Sequence, residues 1–137
     1  MISNLEKIHN ELIVTHQLTM DAIAQAQTEM KSDKFAVARI KIFCDYAIRH
    51  VSVQSEGFYR ILKAHHHGNS SALKKIGFFE DDLKELRVNL FVFIEKYFSD
   101  KPVRNMRPLI ADFKEISENI LNRINVENSQ LLPLFCL

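Results

Sequence analysis

The chain has 137 residues, with 18 basic and 17 acidic side chains, three Gly, three Pro, six His and two Cys. This length suits one domain over residues 1–137, and so few Gly and Pro supply too few turns for a many-stranded β sandwich or barrel. The balanced charge, without a long run of one sign, argues against a nucleic-acid partner.

The sequence has no mark of a secreted or membrane protein. Its first ten residues, MISNLEKIHN, lack the basic segment and apolar stretch of a secretory signal. No apolar run approaches the roughly 20 residues that span a bilayer. Cys44 and Cys136 are too few and too far apart for a disulfide framework. We therefore expect a cytoplasmic protein with reduced thiols and no membrane partner.

The first predicted helix runs from Leu5 to about Met30. Its apolar or semi-apolar side chains recur at spacings of three and four, which is typical of one buried helix face. These residues are Ile8, Leu12, His16, Met20, Ile23, Ala26 and Met30. His16 therefore lies on the predicted inner face, and His9 lies off it.

A second helix is predicted to begin at an N-cap, Ser32 or Asp33, and to continue to about Ile61. Its inner face comprises Ala36, Ile40, Phe43, Ala47, His50, Gln54, Phe58 and Ile61. His50 and Gln54 stack one turn apart on this face. The segment 65–71, HHHGNSS, breaks the periodicity and predicts a loop.

Two further helices follow. After a short amphipathic piece and Gly77, the third predicted helix buries Phe79, Leu83, Leu86, Leu90, Ile94 and Tyr97. The fourth begins near Pro108, ends at Pro133 and buries Ile110, Phe113, Ile116, Ile120, Arg123 or Ile124, Glu127 and Leu131. Four helices joined by short polar loops predict an all-α protein, an antiparallel up-down-up-down four-helix bundle.

Polar side chains on the inner faces come from three of these helices. They are His16, His50, Gln54, Arg123 and Glu127. Each would cost about 1–3 kcal/mol if buried without a partner, so we expect them to meet one another, a metal ion or a water molecule. Arg123 and Glu127, one turn apart, predict an internal ion pair.

Two stretches resemble the first half of the hemerythrin-like (HHE cation-binding) four-helix bundles. That family has a His on its first helix and a His-x-x-x-Glu pair on its second. The stretch IVTHQLTMDAI supplies His16. The stretch DYAIRHVSVQSEGFYRIL supplies His50, with Gln54 where the carboxylate would stand.

The resemblance covers the whole chain but departs from the family in the second half. The family has a His early in its third helix, whereas EDDLKELRVNL has Leu83 near that position. It has a second His-x-x-x-Glu pair on its fourth helix, whereas NRINVENSQLLPLF keeps Glu127 and has Arg123 in place of the His. Because a guanidinium has no lone pair for a metal, the resemblance implies a metal site that is largely lost.

A non-enzymatic regulatory or protein-interaction module without a cofactor is the function that this resemblance implies. Its charge centre would be the Arg123–Glu127 ion pair. The alternative is a metal-binding sensor, or an oxygen- or nitric-oxide-binding protein, that holds non-heme iron or zinc. Its ligands would be His16, His50, Glu127 and either Gln54 or Glu56.

A second, shorter similarity is to the regulator of sigma D and AlgQ group, bacterial proteins that bind the primary sigma factor. Members have an Asp-Tyr pair shortly before a His on helix two, as in Asp45, Tyr46 and His50. They also have an Arg-x-x-x-Glu on the last helix, as in Arg123 and Glu127. This similarity implies that such a bundle can act through a protein-binding surface.

Aromatic residues on the third predicted helix exceed what one helix face can bury. Phe91, Phe93 and Phe98 are therefore candidates for a surface that contacts a protein partner or a second copy of the chain. A wide core face is the other interpretation of the same residues. The loop residues His65, His66 and His67 are either solvated or a weak metal site.

Overall fold

A computed structural model describes residues 2–28, 33–54, 56–99 and 102–135, with only the backbone at positions 2 and 56. The α helices in these ranges are α1 (Ile2–Thr28), α2 (Asp33–Val53), α3 (Glu56–His65), α4 (Ser70–Phe98) and α5 (Met106–Val126). A π-helical turn, Glu127–Leu131, and a 3-10 turn, Leu132–Phe135, follow α5. The described ranges contain no strand, which confirms the all-α prediction. None of their helices is both long and apolar enough to cross a membrane.

The described residues form five α helices rather than the four predicted, because the second predicted helix divides. The backbone N–H of Gln54 donates to Val51 O at 3.2 Å, a tight turn, and α3 begins two residues later. Conversely, α4 runs through Gly77 without a break. A Gly inside a helix costs roughly 0.5–1 kcal/mol relative to Ala, and burial of the flanking Ile76 and Phe79 outweighs that cost.

The long helices α1, α2, α4 and α5 pack around one apolar core, and α3 packs against α4. An edge-to-face aromatic pair, Phe43 and Phe113, joins α2 to α5 with ring centroids 5.2 Å apart. Both rings are fully buried, as are Leu12 of α1 and Leu90 of α4. This core fixes the relative positions of the helices that carry the polar site.

The buried face of α1 differs from the prediction. It comprises Leu5, Ile8, His9, Leu12, Thr15, Thr19, Ala22 and Ile23. His9 is 2% exposed, so its predicted position off the inner face is wrong. The Thr19 hydroxyl donates to Thr15 O at 2.7 Å, which lets this polar side chain be buried, whereas the buried Thr15 hydroxyl has no hydrogen-bond partner among the described residues. His16 is left at the margin of the core, half-buried.

The chain segments around the helix ends agree in part with the prediction. Asp33 is the first residue of α2, while the other proposed cap, Ser32, lies outside the described residues, as do Met30 and Cys136. Helix α5 begins two residues before Pro108, with Asn105 Oδ1 accepting from the Arg107 N–H at 3.1 Å. Its regular geometry ends at residue 126, before the predicted stop at Pro133.

Candidate functional site

A buried carboxylate, Glu127, lies at the centre of a polar cluster inside the helical core. Its side chain is 0% exposed. Oε1 accepts from His9 Nε2 at 2.6 Å and from His50 Nε2 at 2.7 Å. Oε2 accepts from Gln54 Nε2 at 2.7 Å and from Arg123 Nε at 2.5 Å. Four donors therefore use the full acceptor capacity of this carboxylate.

The guanidinium of Arg123 is equally saturated. Its Nε–H donates to Glu127, as described above. Its Nη1 donates to Phe79 O and to Asp82 Oδ2, both at 2.9 Å. Nη2 donates to Gln54 Oε1 at 3.1 Å and to Tyr59 Oη at 2.9 Å. All five N–H groups of the side chain thus have acceptors, and the guanidinium lies over the Phe79 ring, 5.2 Å from its centroid.

Gln54 and Tyr59 complete the arrangement and fix its orientation. The Tyr59 hydroxyl donates to Gln54 Oε1 at 2.6 Å. Burial raises the pKa of Tyr59, outweighing the opposing effect of the nearby Arg123 charge, so the hydroxyl keeps the proton that it donates. With its oxygen facing a hydroxyl and a guanidinium, the Gln54 amide must point its nitrogen at Glu127.

The spacing of residues along the helices explains how the chain brings these groups together. His50 and Gln54 lie one turn apart at the end of α2, and Arg123 and Glu127 lie one turn apart at the end of α5. At Glu127 the helix widens: Leu132 N–H donates to Glu127 O, five residues back. Single π turns of this kind recur at functional positions in helices.

The two histidines differ in their hydrogen bonds. His9 Nδ1 lies 2.8 Å from Asn128 Oδ1. Both ring nitrogens of His9 thus face oxygen atoms, an arrangement that requires a proton on each nitrogen or the Asn128 amide in its other orientation. His50 Nδ1 is buried and has no hydrogen-bond partner within the described part of the chain. The centroids of the two rings are 5.3 Å apart.

The charges in this cluster stabilise one another. Burial alone would raise the pKa of Glu127, but hydrogen bonds from His50 and His9 and the charge of Arg123 hold it well below its usual value. Burial alone would lower the pKa of Arg123, but the negative charge of Glu127, the neighbouring Tyr59 and the hydrogen bonds to Glu127 and Asp82 together raise it. The cluster therefore contains a carboxylate and a guanidinium that both stay ionised at neutral pH.

The structure brings together four residues that the sequence proposed for the site: His50, Gln54, Arg123 and Glu127. The predicted ion pair between Arg123 and Glu127 is present. The fifth, His16, lies elsewhere.

The His16 ring packs against Phe43 and Phe113, with centroid distances of 6.0 and 6.4 Å. It also lines a surface groove with Leu121 of α5. Burial lowers the pKa of His16.

His9, Tyr59, Asp82 and Asn128 are the members of the cluster that the sequence analysis missed. A signal for His9 exists, because Leu5, His9 and Leu12 recur at spacings of four and three. No comparable signal marks Tyr59, which reaches the cluster only because the chain turns between α2 and α3. The side chain of Glu56, proposed as an alternative ligand, lies outside the described residues.

The proposed aromatic partner surface is only partly exposed. Phe93 is buried, 5% exposed, so its assignment to that surface is wrong: it faces the core and packs near Phe98 and Tyr97. Phe98 is half-buried, and Phe91 is 48% exposed. A wide core face therefore accounts for Phe93.

The predicted loop 65–71 is shorter in the structure, because His65 ends α3 and α4 begins at Ser70, and its three histidines do not share one environment. His66 Nε2 lies 2.7 Å from Leu134 O, while His65 and His67 are exposed.

Within the described residues, the one group with the arrangement of a metal site is His9, His50 and Glu127, whose ligand atoms lie within 4.8 Å of one another. A di-iron pair does not fit this group, because bridging two ions needs two or more carboxylates and the group supplies one, Glu127. Two imidazoles and a carboxylate are suitable ligands for a single ion such as zinc. In the structure, however, His9 and His50 are hydrogen-bonded to Glu127, at 2.6 and 2.7 Å.

Comparison with sequence models of known protein families, with curated proteins and with solved structures gives no match to this chain. The hemerythrin-like resemblance therefore rests on the sequence stretches alone, and His16, the ligand proposed from the first of them, lies outside the buried cluster. Function has to be inferred from the geometry of the buried cluster and from the surface around it.

Proposed function

We propose that this chain is a non-enzymatic regulatory module that binds a protein partner, built on a hemerythrin-like bundle of α1, α2, α4 and α5. In this proposal a buried ion pair replaces the metal centre. The observation that carries it is the complete hydrogen bonding of the two charged groups: five donors of Arg123 and four acceptor positions of Glu127 are all used within the protein.

The chemistry of Arg123 supports this role. Arg is protonated at ordinary pH and cannot act as a ligand, so its fixed positive charge stands where a cation would otherwise compensate the buried carboxylate. The guanidinium also contacts α4 through Phe79 O and Asp82. A single side chain thus joins the end of α5 to α4 and to the turn after α2, which is a structural role.

The burial of the cluster argues against catalysis. His9, His50, Gln54, Arg123 and Glu127 are each 5% exposed or less. A substrate needs contact with the acid, base or nucleophile that acts on it. With the reactive groups enclosed and already hydrogen-bonded to one another, the cluster is better suited to holding the helices in place than to turnover.

An exposed apolar surface on α1 and α2 is the best candidate for partner binding. Ile13, Val14 and Leu18 of α1 are 47%, 59% and 47% exposed, and Ile42 of α2 is 38% exposed. Val14 and Leu18 line two grooves, one towards Leu121 of α5 and one towards Ile42. Because both grooves share Val14 and Leu18, these apolar side chains lie together, an arrangement that marks protein interaction sites.

Substitution within this surface tests the proposal. A partner cross-linked to the wild-type chain in cells should be lost with Val14→Glu. It should be kept with Val88→Glu, a control on α4 whose native side chain is 60% exposed against 59% for Val14. Light scattering identifies a second copy of the chain as the partner. Equal capture by both variants would contradict the proposed surface.

A metal-binding sensor is the second candidate, because His9, His50 and Glu127 offer three ligand atoms close together. Protein purified without a metal-affinity column should be analysed for iron and zinc and titrated with zinc against a chromophoric chelator. Near-stoichiometric metal that is lost with His50→Ala would replace the first proposal with this one. Metal well below stoichiometry supports the ion-pair interpretation.

A further inference from the structure

A cleft of about 870 Å³ lies between α2, α3 and α4, away from the apolar surface on α1. Its volume is within the range of roughly 300–1,000 Å³ found for small-molecule sites. Apolar side chains from α2 and α4 form its walls, among them Ile48, Leu83 and Phe91. Gln54 and Tyr59 of the buried cluster also line it. The cleft thus connects the surface with residues that hold Arg123.

Positive charge surrounds this cleft. Lys63 forms an ion pair with Glu80 at 2.6 Å, so those two charges compensate each other. Lys84 and Arg87 are exposed, and neither lies within ion-pair distance of a carboxylate in the part of the chain that the structure describes. The lining therefore combines apolar walls with two uncompensated cations.

We propose that this cleft binds a small amphipathic carboxylate, with its apolar body against Leu83 and Phe91 and its carboxylate between Lys84 and Arg87. A fork of guanidinium N–H groups matches the two oxygens of a carboxylate. Inorganic phosphate has no apolar body to lie against Leu83 and Phe91, so an amphipathic monoanion is preferred to a phosphate dianion. This inference does not depend on the proposed function, because the partner surface on α1 is separate.

Octanoate is the probe for the first test, by titration calorimetry and by chemical shifts of the Ile48 and Leu83 methyl groups. We expect saturable binding with shifts at both residues. Octanol and octylammonium, which have the same chain without the negative charge, should bind at least about tenfold more weakly. Inorganic phosphate should not compete. Equal affinity for octanol, or displacement of octanoate by phosphate, would overturn the proposal.

Matched variants locate the site. Arg87→Gln should weaken octanoate binding about tenfold, whereas Arg107→Gln, an exposed arginine on α5, should leave it unchanged. Phe91→Ala should also weaken it, whereas Phe78→Ala, a more exposed phenylalanine on the same helix, should not. Circular dichroism establishes that each variant is folded. Equal losses in both members of a pair would show that the octanoate lies elsewhere.

Discussion

His9 donates a 2.6 Å hydrogen bond to Glu127, although 118 residues separate the two in the chain. His50 Nε2 contacts the same carboxylate oxygen from α2, 77 residues away. One buried carboxylate therefore links the first part of α1, the end of α2 and the turn after α5 and fixes their relative positions. Because such an anion needs all its donors, we expect the folded state to be sensitive to changes at each of these positions.

Removing the charge of Glu127 should destabilise the protein strongly. Glu127→Gln keeps the size of the side chain but leaves the buried Arg123 guanidinium with the partly exposed Asp82 as its remaining carboxylate partner, at a cost of about 3–5 kcal/mol. Urea unfolding at neutral pH measures the change. The control is Glu118→Gln, an exposed residue of α5, for which we expect a change within about 0.5 kcal/mol. Similar losses in both variants would contradict a special role for Glu127.

The same carboxylate should make stability depend on acid. The pKa of Glu127 is held below its ordinary value near 4.5, so the folded protein binds this proton less readily than the unfolded chain. The ionised Glu127 therefore contributes fully to the free energy of unfolding at pH values above 4.5. This contribution is lost as the pH falls from 4.5 towards the lower pKa of the folded state. The difference in unfolding free energy between wild type and Glu127→Gln should narrow from pH 5 to about pH 3. A constant difference would mean that Glu127 does not titrate as described.

His9 and His16 both lie on α1, but only His9 contacts Glu127, so their substitutions can be compared for their effect on stability. His9→Ala should cost about 1–3 kcal/mol, because Glu127 loses a buried donor. His16→Ala should cost less, since His16 is half-buried and contributes ring contacts with Phe43 and Phe113. Thermal or urea unfolding gives both values. The reverse order would place His16, rather than His9, at the centre of the cluster.

If Arg123 takes the place of a metal, restoring ligands should restore metal binding. The double variant Arg123→His with Gln54→Glu removes the fixed cation and adds a carboxylate and an imidazole next to His50 and Glu127. We expect cobalt or zinc uptake to rise towards stoichiometry, measured by cobalt absorbance and elemental analysis. His16→Ala added to this variant should leave uptake unchanged. Uptake no higher than that of wild type would count against the hemerythrin-like alignment.

Periodicity was sufficient to predict the helical class and much of the core. It also predicted the pairs His50 with Gln54 and Arg123 with Glu127, because residues four apart on one helix must lie on the same face. It places His16 and Met20 on the inner face of α1, where the structure instead buries Thr15 and Thr19. The burial of Thr19 depends on a hydrogen bond from its hydroxyl to a backbone carbonyl, which no pattern of apolar residues reveals.

Other parts of the site depend on tertiary structure. The break after Gln54 follows no Gly or Pro, yet it turns the chain so that Tyr59 reaches the cluster. The sequence assigns Phe93 to an aromatic surplus, but the structure buries it. The width of a buried helix face depends on the neighbouring helices, which a helix sequence by itself does not specify. Asp82 meets Arg123 across 41 residues, a relationship that a single sequence does not contain.

The π-helical turn at Glu127–Leu131 also sets the direction of the chain that follows it. Each residue of a regular helix turns the chain by about 100°, so one residue more or fewer in this turn would redirect everything after it. The segment that follows carries Phe135, whose ring lies 5.0 Å from that of Phe58 in α3. Deletion of the exposed Ser129 would therefore separate the Phe135 ring from Phe58 and remove this contact with α3, although Ser129 itself is six residues from Phe135.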